Sequence, residues 1–95
     1  MAVAIVMEFE GATLDQYDEV IRNMGFSPGG RGAPGALGHW VTKTDTGIRV
    51  TDVWSTREQF DEFGEQKIGP LTAAAGIPSP PTLTYFEVHN YLTPG

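Results

Sequence analysis

His39 and Asp52 carry the clearest chemical possibility in the chain. A carboxylate hydrogen-bonded to one imidazole nitrogen fixes which nitrogen holds the proton and leaves the other free as a general base. Such a base suits proton removal from a phenol or an enol. Trp54, close to Asp52 in sequence, offers a flat face on which an aromatic substrate could stack. Each of these residues also has a plain structural reading: a histidine beside an aspartate on a sheet can be a satisfied pair, and a tryptophan at a strand end can anchor helix packing. Ser27, Ser55 and Ser79 fall in loop or cap contexts and form no nucleophile constellation. His39 and His89 stand among scattered carboxylates without metal-ligand spacing, so no metal and no other cofactor is expected, although either histidine could in principle be an axial haem ligand.

For His39 and Asp52 to meet, the chain must fold as a hairpin. Leu37 to Thr44 and Gly47 to Ser55 alternate apolar and polar residues around the turn Thr44-Asp45-Thr46-Gly47. Register decides which faces join, because a slip of one residue exchanges the faces of one strand relative to the other. With Lys43 opposite Ile48, Val41 meets Val50 and His39 meets Asp52. Leu37, His39 and Val41 then share a face with Ile48, Val50, Asp52 and Trp54, joining both apolar sets into one surface. The alternative, Thr44 opposite Ile48, sets Trp40 against Asp52 and splits those sets.

The remaining elements follow in order. Ala2 to Phe9 is apolar on both sides, as a covered central strand requires. Thr13-Leu14-Asp15-Gln16 is a capping box that opens a helix with the stripe Leu14, Tyr17, Val20, Ile21 and Met24, closed by Gly25. Phe26 to Ala36, FSPGGRGAPGA, follows a helix and lacks the Lys-Ser/Thr pair of a phosphate loop, so it reads as a flexible connection or pocket lid. Arg31 at its tip could meet an anionic ligand or simply be solvated. Thr56-Arg57-Glu58-Gln59 caps a second helix whose buried side is Phe60, Phe63 and Ile68, and Gly69-Pro70 is expected to break it. An Ala-rich turn from Leu71 to Ala75 and a Pro-rich connection from Ile77 to Pro81 lead to a last strand, Thr82 to Leu92.

The order strand, helix, strand, strand, helix, strand predicts an α+β fold: a ferredoxin-like βαββαβ sandwich, with a four-stranded antiparallel sheet and two helices on one face. Right-handed crossovers place the first and third strands centrally and the second and fourth at the edges. Tyr17, Trp54, Phe60 and Phe63 are then expected to line a cavity between sheet and helices. If Phe86 and Val88 face the core, Asn90 joins that cavity, while His89 and Tyr91 face a partner. The opposite sheet face carries Trp40, Thr42, Thr51 and Val53, an apolar set suited to a second copy of the chain.

Composition narrows the partners. The 95 residues (1–95) make one domain, small enough for a homodimer to be plausible as a source of stability. A net charge of −6 disfavours nucleic acid and anionic membrane surfaces. With no cysteine, disulfides, thiolate metal sites and cysteine nucleophiles are excluded. MAVAIVME lacks a basic leader segment and is interrupted by Glu8, so the expectation is a soluble, cytoplasmic protein.

The run Val50-Thr51-Asp52-Val53-Trp54-Ser55-Thr56-Arg57-Glu58-Gln59-Phe60, together with the closing Phe86-Glu87-Val88-His89-Asn90-Tyr91, resembles the antibiotic biosynthesis monooxygenase-like group of the dimeric α+β barrel superfamily. The resemblance spans nearly the whole chain. It implies a homodimer whose sheets pack as an α+β barrel, with a ligand cavity in each subunit, and relatives that include cofactor-free oxygenases, polyketide cyclases, lactone isomerases and haem-binding proteins. Members often place a histidine one turn beyond the helix phenylalanine, where this chain has Phe63. Two functions stay open: a cofactor-free oxygenase or cyclase/isomerase on an aromatic or polyketide-like substrate, with His39 as base oriented by Asp52, or a non-catalytic homodimeric binding or structural module.

Overall fold

In the computed structural model, which describes residues 1–94, the strand β1 (Val3–Glu10) turns Val3, Ile5, Met7 and Phe9 into the core. Its alternation is that of a pleated strand with one fully buried face. Gly11 and Ala12 lead to α1 (Leu14–Asn23), where both arms of the capping box form: Thr13 Oγ1 accepts from the Gln16 N–H at 3.1 Å, and the Gln16 side chain accepts from the Thr13 N–H at 3.0 Å. Val20 is buried, and Tyr17 and Met24 pack against the same cluster.

The hairpin strands β2 (Ala36–Lys43) and β3 (Gly47–Trp54) pair with Lys43 opposite Ile48, Val41 opposite Val50 and His39 opposite Asp52, the register the apolar pattern demands. A bulge between Ala36 and Gly38 interrupts the pairing near the start of β2. The antiparallel sheet has the order β2-β3-β1-β4, which puts β1 and β3 in the middle as expected.

Past β3, Thr56 Oγ1 accepts from the Gln59 N–H at 3.2 Å and starts α2 (Arg57–Phe63). Gly69-Pro70 does not break the helical run, contrary to expectation. Backbone angles stay right-handed helical through a π turn, Gly64–Ile68, into α3 (Gly69–Ala74). The Gly69 N–H bonds to the Gly64 carbonyl five residues back, and Pro70 then sits in the first turn of α3, where a missing N–H costs little. The expected Ala-rich turn is therefore α3 itself. Thr72 Oγ1 donates to the Ile68 carbonyl at 2.6 Å, and Gln16 Nε2 donates to the Gly76 carbonyl at 3.1 Å, tying α1 to the end of this run.

The last strand, β4 (Thr82–Glu87), is shorter than the expected Thr82 to Leu92. It pairs antiparallel with β1, Tyr85 opposite Ile5 and Phe86 opposite Ala4. Tyr85 therefore shares the core face, while Phe86, expected inside, stands 54% exposed on the other. Alternation cannot choose between adjacent aromatics; pairing with β1 does. Val20, Phe60 and Ile77 join the cluster around Ile5, so both helical crossovers cover one face of the sheet.

Candidate active site

The site is built on one cross-strand row. His39, Asp52, Ile5 and Tyr85 stand opposite one another along the inner face of β2, β3, β1 and β4. Asp52 is 4% exposed, the one charged side chain in the core among the described residues. A buried carboxylate is costly unless hydrogen-bonded, and here both oxygens have donors. His39 Nδ1 donates to Oδ1 at 2.5 Å, and Trp54 Nε1 donates to Oδ2 at 3.0 Å. Trp54 and Asp52 lie two apart on one strand and so share its face. The tryptophan is thus a carboxylate partner as well as a core residue, held by Phe60 at 6.0 Å and Phe63 at 5.2 Å between ring centroids.

The bond to Asp52 assigns the His39 proton to Nδ1 and leaves Nε2 as acceptor. The Tyr17 hydroxyl donates to that nitrogen, its ring nearly parallel to the imidazole at 13°. Tyr17 comes from the apolar stripe of α1, where spacing marks it as a cavity residue but cannot show which partner it meets. Burial, then the negative charges of Asp52 and Asp18, push its phenol up to about 12. Trp54, Asp52, His39 and Tyr17 form a continuous hydrogen-bonded run from core to surface. Among the described residues, every buried side-chain nitrogen and oxygen has a partner.

This run opens on a cavity of about 580 Å³ between the inner sheet face, α1 and the 26–36 connection. Tyr17, His39, Asp52, Trp54 and Phe63 line it, on a wall mostly of apolar groups such as Met7, Met24 and Val50. Phe60, expected on the wall, instead sits behind Trp54, its ring edge-on to both Trp54 and Tyr85. Asn90, also expected there, lies exposed beyond the end of β4 and outside the cavity. Ile68 and Thr72 line it too, brought round by the π turn that Gly69-Pro70 concealed.

The 26–36 connection is more ordered than its composition suggests. Ser27-Pro28-Gly29-Gly30 closes with the Gly30 N–H on the Ser27 carbonyl at 2.9 Å, and Ala33-Pro34-Gly35-Ala36 closes with the Ala36 N–H on the Ala33 carbonyl at 3.0 Å. Proline at the second position and glycine at φ +71° and +91° at the third define two successive type II turns. The Ser55 N–H donates to the Gly35 carbonyl at 2.9 Å and moors the second turn to the end of β3.

The architecture has counterparts among solved structures. A monooxygenase from the gene ActVA-Orf6 of Streptomyces coelicolor, in complex with nanaomycin D, superposes with a TM-score of 0.59 at 18% identity over 99% of this chain and 92% of that one. An antibiotic biosynthesis monooxygenase candidate from Deinococcus radiodurans gives 0.61 at 12% identity over 100% and 99%. This is the fold of the antibiotic biosynthesis monooxygenases. At such identities the likeness is one of fold, and chemistry must be argued from the side chains on it. No family model and no curated protein matches the chain. Among the described residues, no helix is long and apolar enough to cross a membrane, and no group of three or more His, Cys, Asp or Glu is placed to hold a metal.

Proposed function

We propose that the chain is a small-molecule enzyme of the antibiotic biosynthesis monooxygenase-like type, a cofactor-free oxygenase or cyclase/isomerase whose first step removes a proton from a phenolic or enolic aromatic substrate. The observation that carries this is the hydrogen-bonded run from buried Asp52 through His39 to Tyr17, ending at the cavity. His39 is the base and Asp52 its orienting partner. The substrate hydroxyl gives its proton to the Tyr17 oxygen as the Tyr17 proton passes to His39 Nε2. Asp52 stabilises the resulting imidazolium. Because a free tyrosinate is disfavoured at this position, the two transfers are coupled, with no standing phenolate on Tyr17. The product is a substrate anion, the species that either oxygenation by dioxygen or ring closure requires. Trp54 and Phe63 supply flat apolar wall, and about 580 Å³ is within the range of small-molecule sites. The solved neighbour that holds nanaomycin D supports a ligand role for the cavity.

The outer sheet face supports a homodimer within this proposal. Trp40 stands 53% exposed opposite Thr51, in register with Val6 on β1. A sheet face that exposes Trp40 beside Thr51 and Val6 is suited to an isologous contact with a second copy.

The test is turnover of hydroxylated naphthols and anthrones, followed by oxygen uptake and product analysis, in the parent and in His39→Ala. Loss of turnover with an intact fold and unchanged association supports the enzyme. The alternative, a non-catalytic binding or structural module, draws on the fact that His39 Nε2 already has a partner in Tyr17. It is favoured if His39→Ala loses its fold while no substrate is turned over by either protein.

A further inference from the structure

Arg31 lies on the short span between the two type II turns, and it lines the same cavity as Tyr17 and His39. Among the described residues it is the one arginine or lysine on that wall, which otherwise offers apolar groups, a few hydroxyls and the carboxylates of Asp18 and Asp52. The cations Arg49 and Arg57 are engaged with Glu8 and Asp61, but no ion pair within the described residues involves Arg31. Its position is not left to a loose loop. Each flanking turn is preset by a Pro-Gly pair, and the second is bonded to the end of β3, so the guanidinium is carried on a short bridge with closed ends.

We infer that Arg31 is an anion-recognition residue of the cavity, and that the ligand is a flat aromatic acid whose carboxylate meets Arg31 while its hydroxyl meets Tyr17. The inference rests on the reading of the cavity as an aromatic ligand site and adds the ligand's charge. Guanidinium and carboxylate match as a planar two-point hydrogen-bonded pair, which selects carboxylates over neutral groups of similar size. In a chain of net charge −6, an acidic ligand is repelled by most of the surface, so selectivity for it must come from a local cation. The carboxylate also orients the ring: it selects which end of the ligand faces Arg31 and so which hydroxyl is presented to the proton-accepting run.

The experiment is calorimetric titration of the full chain with a hydroxynaphthoic acid and, separately, with its methyl ester. The parent is expected to bind the acid on the order of tenfold more tightly than the ester, the worth of a charge-assisted pair at a partly open site. Arg31→Gln removes that margin and leaves ester affinity unchanged. Tyr17→Phe weakens both ligands alike and keeps the margin. Equal affinity of the parent for acid and ester overturns the role of Arg31 while the aromatic-site reading stands. Loss of the margin in Tyr17→Phe instead of Arg31→Gln places the carboxylate at the other end and also overturns it. Failure of the parent to bind either ligand removes the aromatic-site reading and this inference together.

Discussion

On the inner face of the sheet Asp52 is buried with both oxygens hydrogen-bonded, whereas on the outer face of the same four strands, β2, β3, β1 and β4, Trp40 and Phe86 stand about half exposed. Alternation along the strands alone would predict the reverse distribution, polar side chains outside and apolar inside. For most residues it holds: Ile5, Met7, Ile48 and Val50 are inside, and the Arg49–Glu8 pair is outside. The exceptions are informative because each goes against solvation. A carboxylate is kept dry only where donors surround it, and a tryptophan is kept wet at a cost that association with another surface relieves. In the reading proposed above, the inner exception marks chemistry and the outer one assembly.

The strongest way to break the inner half of this contrast is Asp52→Asn. Trp54 Nε1 can only donate, so the amide oxygen turns to it and the amide nitrogen faces His39. His39 Nδ1 must then accept, which moves the ring proton to Nε2 and removes the acceptor that Tyr17 uses. Turnover is expected to fall about 10²- to 10⁴-fold in steady-state kinetics, with the fold retained by circular dichroism. Trp54→Phe is milder. It strips the donor from Asp52 Oδ2 in a dry setting and should reduce unfolding free energy by about 1–3 kcal/mol in urea titration.

Alkaline pH gives a subtler effect on the same run. The folded phenol of Tyr17 sits near 12, above its unfolded value of 10.0, so the folded state holds the proton more tightly. The stability associated with that proton is present in full below pH 10.0 and is lost as pH rises towards 12. Tyr17→Phe should therefore flatten the fall in unfolding free energy across that window, and the phenolate step near pH 12 should vanish from an ultraviolet titration. Tyr85, raised by burial and then by Asp61, should still titrate late in the variant. On the outer face Trp40→Ser should change the folding stability of the isolated chain by no more than about 0.5 kcal/mol. Sedimentation should nonetheless show weakened self-association; an unchanged association constant would remove the assembly half of the contrast.

Much of this geometry is legible in the residues. The hairpin register follows because one alignment alone unites Ile48, Val50, Val41 and Trp54, and it carries His39 to Asp52 without further assumption. The bond from Trp54 to Asp52 was also readable, since residues two apart on a strand share a face, though the aromatic's bulk draws notice away from its N–H. Other features depend on information that is not local. Tyr17 reaches His39 through the docking angle of α1, which no periodicity encodes. Tyr85 and Phe86 are adjacent aromatics on an edge strand, and only pairing with β1 tells them apart. Gly69-Pro70 carries the strongest local stop signal in the chain, yet the π turn before it accommodates the ring, because tertiary packing of Phe63, Ile68 and Leu71 outweighs local propensity.

That π turn holds one more residue than an α-helical turn would, so the second crossover behaves as a helix that has absorbed a single-residue insertion. Removing Gln66 would restore regular winding and, since a π turn takes up its extra residue locally instead of passing it on as a rotation of about 100°, would leave the downstream faces in place. Ile68 and Thr72 would stay on the cavity wall. Length can thus change by one residue at this point without exchanging the groups that line the cavity.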